Sequence, residues 1–128
     1  MSQREVESNR NITFDCKYHV VFCPKYRRRV LVPPIDNRLK ELLQIKAKEL
    51  QSEILEVEIM PDHVHLLIKC DPQFGIHRIV KHLKGFTSRV LRCEYPKLTT
   101  RLPSLWTNAY FVATVGSVSL ETVKQYIE

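Results

Sequence analysis

Two short alternating segments joined by a two-residue turn constrain this chain's fold more tightly than any other feature. Ser52 to Met60 sets Leu55, Val57 and Ile59 opposite Glu56 and Glu58, and His63 to Cys70 alternates again. A period of two belongs to strands, in which successive side chains point to opposite faces. Between them Pro61-Asp62 is turn chemistry, with proline fixing φ and the Asp carboxylate able to accept a backbone N–H. Together these residues predict an antiparallel hairpin. On its second strand Val64, Leu66, Ile68 and Cys70 share the face assigned to the core, so His63, His65, Leu67 and Lys69 share the open face.

The remaining chain supplies partners for that hairpin. Phe14 to Cys23 reads as a strand, with Cys16, Tyr18, Val20 and Phe22 on one face and Asp15, Lys17, His19 and Val21 on the other. Pro33-Pro34 cannot continue a ladder, and Asp36 is placed to cap a helix whose apolar stripe is Leu39, Leu42, Leu43, Ala47 and Leu50. Ile76, Ile79, Val80, Leu83, Thr87, Val90 and Leu91 mark a second, longer helix that stops before Pro96. Trp106 to Val115 is rich in aromatic and β-branched residues and reads as the last strand. Gly116 and Ser117 break it, and Ser119 is placed to cap a final helix through Glu128. The order predicts an α+β fold: a ferredoxin-like βαββαβ antiparallel sheet with helices on one face, plus a C-terminal helix. That fold hosts many functions and selects none of them.

At 128 residues, 44% of them apolar, the chain reads as one domain spanning 1–128 with a buried core. The net charge is +6, and the excess is clustered. Lys25, Arg27, Arg28 and Arg29 form one group; Arg78, Lys81, Lys84, Arg89 and Arg92 share a later segment. Such clusters attract polyanions, although a charge run is more often a solvated face. Met1 to Asn11 is polar, without the apolar centre of a signal peptide, and is expected to be a flexible tail. No apolar run approaches the ~20 residues of a membrane helix. Cys16, Cys23, Cys70 and Cys93 show no CxxC spacing, so they are expected to be reduced, mostly buried thiols of a cytoplasmic protein.

Both imidazoles of His63-Val64-His65 project from the open face, where a neutral pair can bind a divalent ion that polarises a phosphate oxygen. A structural zinc site is disfavoured, because Cys70 points away and no other Cys/His pair completes four ligands. Taken alone, the triplet is more often two ordinary half-exposed strand histidines. His19 shares the inferred face if its strand is a neighbour, with structural and functional roles equally open; Asp62 reads as a turn residue before a ligand. His77 and His82 are expected at the surface.

The surroundings of the triplet shift that balance. Met60-Pro61-Asp62-His63-Val64-His65-Leu66-Leu67 resembles the His-hydrophobic-His signature of the HUH nucleases, and more narrowly the single-tyrosine transposases of the insertion sequence (IS) 200/605 family. Five further fragments match in order. They are Tyr18-His19-Val20-Val21-Phe22 with Lys25-Tyr26-Arg27, then Leu83-Lys84-Gly85-Phe86-Thr87-Ser88, then Leu105-Trp106 with Tyr110-Phe111, Thr114-Val115-Gly116, and Val123-Lys124-Gln125-Tyr126-Ile127-Glu128.

The resemblance implies cleavage and rejoining of single-stranded DNA through a 5′-phosphotyrosine, without ATP. It implies Tyr126 as the nucleophile and His63 and His65 as ligands of Mg²⁺ or Mn²⁺. Nothing intrinsic singles out Tyr126 among five tyrosines. The family's further ligand, a glutamine four residues after the tyrosine, would fall at position 130, past Glu128; in a chain ending there, water or another side chain would take that place. The resemblance also implies a homodimer and recognition of DNA hairpins. Here the contacts expected are Lys25, Tyr26, Arg27, Arg28, Arg29, Lys81, Lys84 and Arg89, with Tyr26 either stacking on a base or packing at a strand end. The rival readings are a non-catalytic single-stranded nucleic-acid binder, including a degenerate relative, and a histidine-metal hydrolase of small phosphate esters. An RNA-recognition sheet would carry aromatics where His63, His65, Leu67 and Lys69 stand.

Overall fold

The computed structural model describes residues 16–100 and 102–115. Strand β1 (Cys16–Phe22) leads through a short 3-10 turn at Lys25–Arg27 to helix α1 (Ile35–Glu49). The hairpin β2 (Glu53–Met60) and β3 (His63–Cys70) follows, then helix α2 (Ile76–Glu94), a single turn α3 (Lys97–Thr100) and strand β4 (Phe111–Thr114). All pairings are antiparallel and the sheet order is β2-β3-β1-β4, which is the ferredoxin-like arrangement. The expected N-terminal tail (1–11), the final helix from Ser119 and Tyr126 all lie outside the described residues.

The register follows from which side chains must be buried. Tyr18, Val20 and Phe22 face Ile68, Leu66 and Val64 across β1 and β3, and Ile54, Val57 and Ile59 face the same three from β2. Leu39, Leu42, Leu43 and Ala47 of α1 pack on this face with Ile76, Ile79, Val80, Leu83 and Leu91 of α2. Because the side-chain period is two, this register sends His63, His65, Leu67 and Lys69 to the opposite face.

Four expectations are corrected. A bulge lies between Ile54 and Glu56, so Leu55 drops out of the pairing and is exposed, while Ile54 takes its place in the core. Helix α1 starts at Ile35 with Pro34 in the cap position, so Asp36 lies inside the first turn, where its carboxylate still opposes the positive helix end. The last strand is Phe111–Thr114 and not the whole of Trp106 to Val115. The indole of Trp106 is buried, edge-on to Phe22 at 4.7 Å, and donates its N–H to Thr87 Oγ1 at 3.1 Å. That anchor draws 105–107 off the main ladder into a ragged pairing, in which Lys25 N–H donates to the Leu105 carbonyl and Thr107 N–H to the Cys23 carbonyl. Of the cysteines only Cys70 is buried; Cys93 is exposed.

Candidate metal and nucleic-acid site

The two-residue turn makes Met60 face His63 and Glu58 face His65. In the neighbouring strand β1, Val21 faces His65 and His19 faces Leu67. The histidine pair, His19 and Glu58 therefore meet on the open face, over the middle of the sheet. Glu58 is the member that inspection of the sequence overlooked. Its signal was available, since it alternates with the apolar residues of β2 and the turn fixes its partner.

Each imidazole is oriented by a neighbour. His63 Nδ1–H donates to Asp62 Oδ1 at 2.9 Å, which leaves the lone pair of a neutral ring on Nε2. The other carboxylate oxygen of Asp62 accepts from Arg27 Nη2 at 2.8 Å. The bond from His63, and then Arg27, hold the Asp62 carboxyl below its usual range against the opposing effect of partial burial. Asp62 is therefore a turn residue that also steers His63. Carboxylates that hold the far nitrogen of a metal-binding histidine fix its tautomer and raise its basicity.

His65 is 8% exposed, deeper than a half-exposed strand histidine. Its Nε2 lies 3.1 Å from His19 Nδ1, the rings stacked with centroids 5.3 Å apart, and its Nδ1 is 3.7 Å from Glu58 Oε1. Burial lowers the His65 pKa and the nearby His19 lowers it further, against an opposing pull from Glu58. A depressed pKa keeps the ring neutral, the form that can donate a lone pair to a cation. Two imidazoles on one face, one of them braced by a carboxylate and the other buried, fit a divalent ion as a partial ligand set. Among the described residues no group of three His, Cys, Asp or Glu side chains forms a complete one.

The basic turn adjoins this pair. Tyr26 and Arg27 both have positive φ, 61° and 51°, and Tyr26 is 63% exposed. Positive φ is costly for a bulky residue, and the Arg27–Asp62 bridge helps hold the turn in that conformation. The packed alternative for Tyr26 is thereby excluded: its ring stands in solvent, with Lys25 Nζ 5.7 Å from its centroid. Arg28 and Arg29 are exposed just beyond. On α2, Lys81 and Arg89 are exposed, Arg89 lying over Phe86, as are His77 and His82. Lys84 differs. It is half-buried, and its ammonium donates to the carbonyls of Thr107 at 2.7 Å and Asn108 at 3.4 Å and lies 4.9 Å from the Tyr110 ring.

Several known proteins resemble this chain over most of its length. A family model described as "Transposase IS200 like" matches residues 12–128. The ISDra2 transposase TnpA of Deinococcus radiodurans is 36% identical over 126 residues, covering 97% of this chain and 90% of that protein. The transposase for insertion sequence element IS200 of Salmonella typhimurium is 31% identical over 117 residues, 90% of this chain and 76% of that protein. A crystal structure of a candidate transposase from Deinococcus radiodurans R1 superposes with a TM-score of 0.82 at 35% identity, covering 90% of each chain. A REP-associated tyrosine transposase bound to a REP hairpin shares the fold, with a TM-score of 0.62 at 11% identity over 90% of this chain and 64% of that one. With the fold and nearly the whole length in agreement, the chain belongs to the IS200-like transposase family.

Proposed function

We propose that this protein cuts and rejoins single-stranded DNA at the ends of a mobile element through a 5′-phosphotyrosine on Tyr126. The observation that carries this reading is the oriented pair on the open face: His63 braced by Asp62, and His65 buried and kept neutral. In this reading His63 and His65 hold Mg²⁺ or Mn²⁺, which when bound neutralises charge building on a phosphate oxygen. The Tyr126 hydroxyl gives up its proton to solvent as its oxygen attacks phosphorus, the bond to the 3′ oxygen breaks, and that oxygen takes a proton and leaves as a 3′-OH. Rejoining is the reverse: an incoming 3′-OH loses its proton, attacks phosphorus and releases the tyrosine. One phosphodiester is exchanged for another, so ATP is not required. A tyrosine hydroxyl with a pKa of about 10 needs activation to act this way.

Lys25, Arg27, Arg28 and Arg29, with Lys81 and Arg89, supply phosphate contacts, and the exposed Tyr26 ring supplies a stacking platform. The substrate in this reading carries a DNA hairpin, a ligand that a protein of the same fold is able to hold. The working unit is a homodimer. No helix among the described residues is long and apolar enough to cross a membrane.

The test is a covalent-adduct assay on denaturing gels. Protein with Mg²⁺ or Mn²⁺ meets 3′-labelled single strands copied from the DNA flanking its gene, beside Tyr126→Phe and His63→Ala. Label moving to protein mass with the unaltered chain alone is the expected result. No adduct from a chain extended past position 130, despite hairpin binding, would make the protein a non-catalytic single-stranded DNA binder.

A further inference from the structure

A groove of about 480 Å³ lies outside the histidine site, between the connector that follows the basic turn and the single turn α3. Its rim carries Arg28, Arg29 and Lys97, and its floor is apolar, built from Val32, Leu98 and Leu102. Among the described residues no carboxylate lines it. Its size falls among small-ligand sites, roughly 300–1,000 Å³. A cationic rim over an apolar floor is complementary to one chemical unit in particular: an anionic backbone carrying a flat, apolar-faced base. Inorganic phosphate alone would leave the floor without a partner.

The groove is also tied to the candidate active site. Arg27, next in sequence to Arg28, bonds Asp62 beside His63, and Leu31 N–H donates to the Pro61 carbonyl at 3.0 Å. The far wall is fixed by Arg92 Nη1, which donates to the Leu102 carbonyl at 3.2 Å. The basic turn thus links the two places, with Arg27 bonded beside the histidine pair and Arg28 and Arg29 lining the groove.

We propose that this groove captures one nucleotide of single-stranded DNA away from the reacting phosphate, with its phosphates on Arg28, Arg29 and Lys97 and its base on the apolar floor. The inference rests on the nucleic-acid reading above and adds a base-binding subsite to it. Lys97, which nothing in the sequence pattern marked, becomes a DNA contact.

The experiment uses the full chain and hairpin oligonucleotides with single-stranded flanks carrying 4-thiothymidine at successive positions. One flank position should crosslink to peptides containing residues 28–32 or 97–102. An abasic nucleotide at that position should weaken binding to the unaltered protein. Lys97→Glu should lower affinity on the order of tenfold and flatten its salt dependence by about one counterion. Thr100 also lines the groove, and Thr100→Trp fills it without changing charge; it should weaken binding and abolish the further effect of the abasic site, a non-additivity that contact predicts. Thr100 is exposed at the end of α3, and the crosslink and abasic measurements need no variant at all. Crosslinks only elsewhere, or an abasic series without effect, would overturn the subsite while tight binding by the unaltered chain left the nucleic-acid reading intact. Failure of the unaltered chain to bind any such strand would overturn both.

Discussion

Asp62 bonds two partners at once, Arg27 on one oxygen and His63 on the other. If His63 holds a metal ion, losing that brace frees the ring to rotate and to choose the wrong tautomer. Asp62→Ala should then weaken Mn²⁺ binding by about 10–100-fold, the usual effect of losing such a partner. Calorimetric titration without DNA reads this directly, and an unchanged affinity would confine Asp62 to the turn. Lys84 gives the contrasting residue-level case. Its composition and position in a basic segment suggested a DNA contact, yet its ammonium is committed to the Thr107 and Asn108 carbonyls, and burial lowers its pKa. Lys84→Met keeps the stem and removes the donors, so it should cost about 1–2 kcal/mol of stability in denaturant unfolding. A change confined to DNA affinity would return Lys84 to the phosphate contacts. Sequence could name Lys84 but could not say what its ammonium would reach, because the carbonyls it meets lie in a segment whose path is a tertiary outcome.

At the scale of elements, the long helix and the strand-like stretch from Trp106 are joined by one buried polar contact. Thr87 Oγ1 donates to the Leu83 carbonyl at 2.7 Å and accepts the indole N–H of Trp106. Thr87→Val preserves shape but leaves a buried indole N–H without an acceptor, at a cost of about 1–3 kcal/mol. Thermal unfolding of Thr87→Val and Thr87→Ser should separate the two roles, with serine retaining most of the stability. The same contact explains why Trp106 to Val115 was legible as β-rich but not as a shorter strand. Its residues have strand propensity throughout, while burial of Trp106 redirects the backbone before Phe111. The ends of β3 are legible in the sequence because Pro61-Asp62 and strict alternation are local signals. The bulge at Leu55 is not local. Ile54 and Leu55 are both apolar, and only packing against Ile68 chooses between them.

For the whole molecule, sheet order was legible because the βαββαβ sequence of elements admits few antiparallel arrangements, and the core face of β3 followed from alternation. What the sequence left open was the environment that the packed fold gives each titratable group. Cys16 and Cys70 face each other across β1 and β3, and Tyr18 is next on the same face. Burial pushes the Cys70 thiol up to about 11, with Cys16 and Asp71 adding to it, and raises Tyr18 as well, with Cys16 and Cys70 contributing. Folding thus favours the neutral forms. For a group whose folded pKa is raised, the stability contribution is complete below the unfolded pKa and is lost as pH rises through the folded one. For Cys70 that window runs from about 9 to about 11. Lys84 acts in the opposite sense, since its depressed pKa means that deprotonation relieves a burial penalty. The thiol and phenol together should outweigh that single amine, so the melting temperature should fall between pH 9 and 11 under reducing conditions and recover on return to pH 8. Cys70→Ala with Tyr18→Phe should start from a lower melting temperature but show a shallower alkaline decline, because neither new side chain titrates. An equally steep decline in the double variant would assign the alkaline loss to other groups and remove this end of the core from the account.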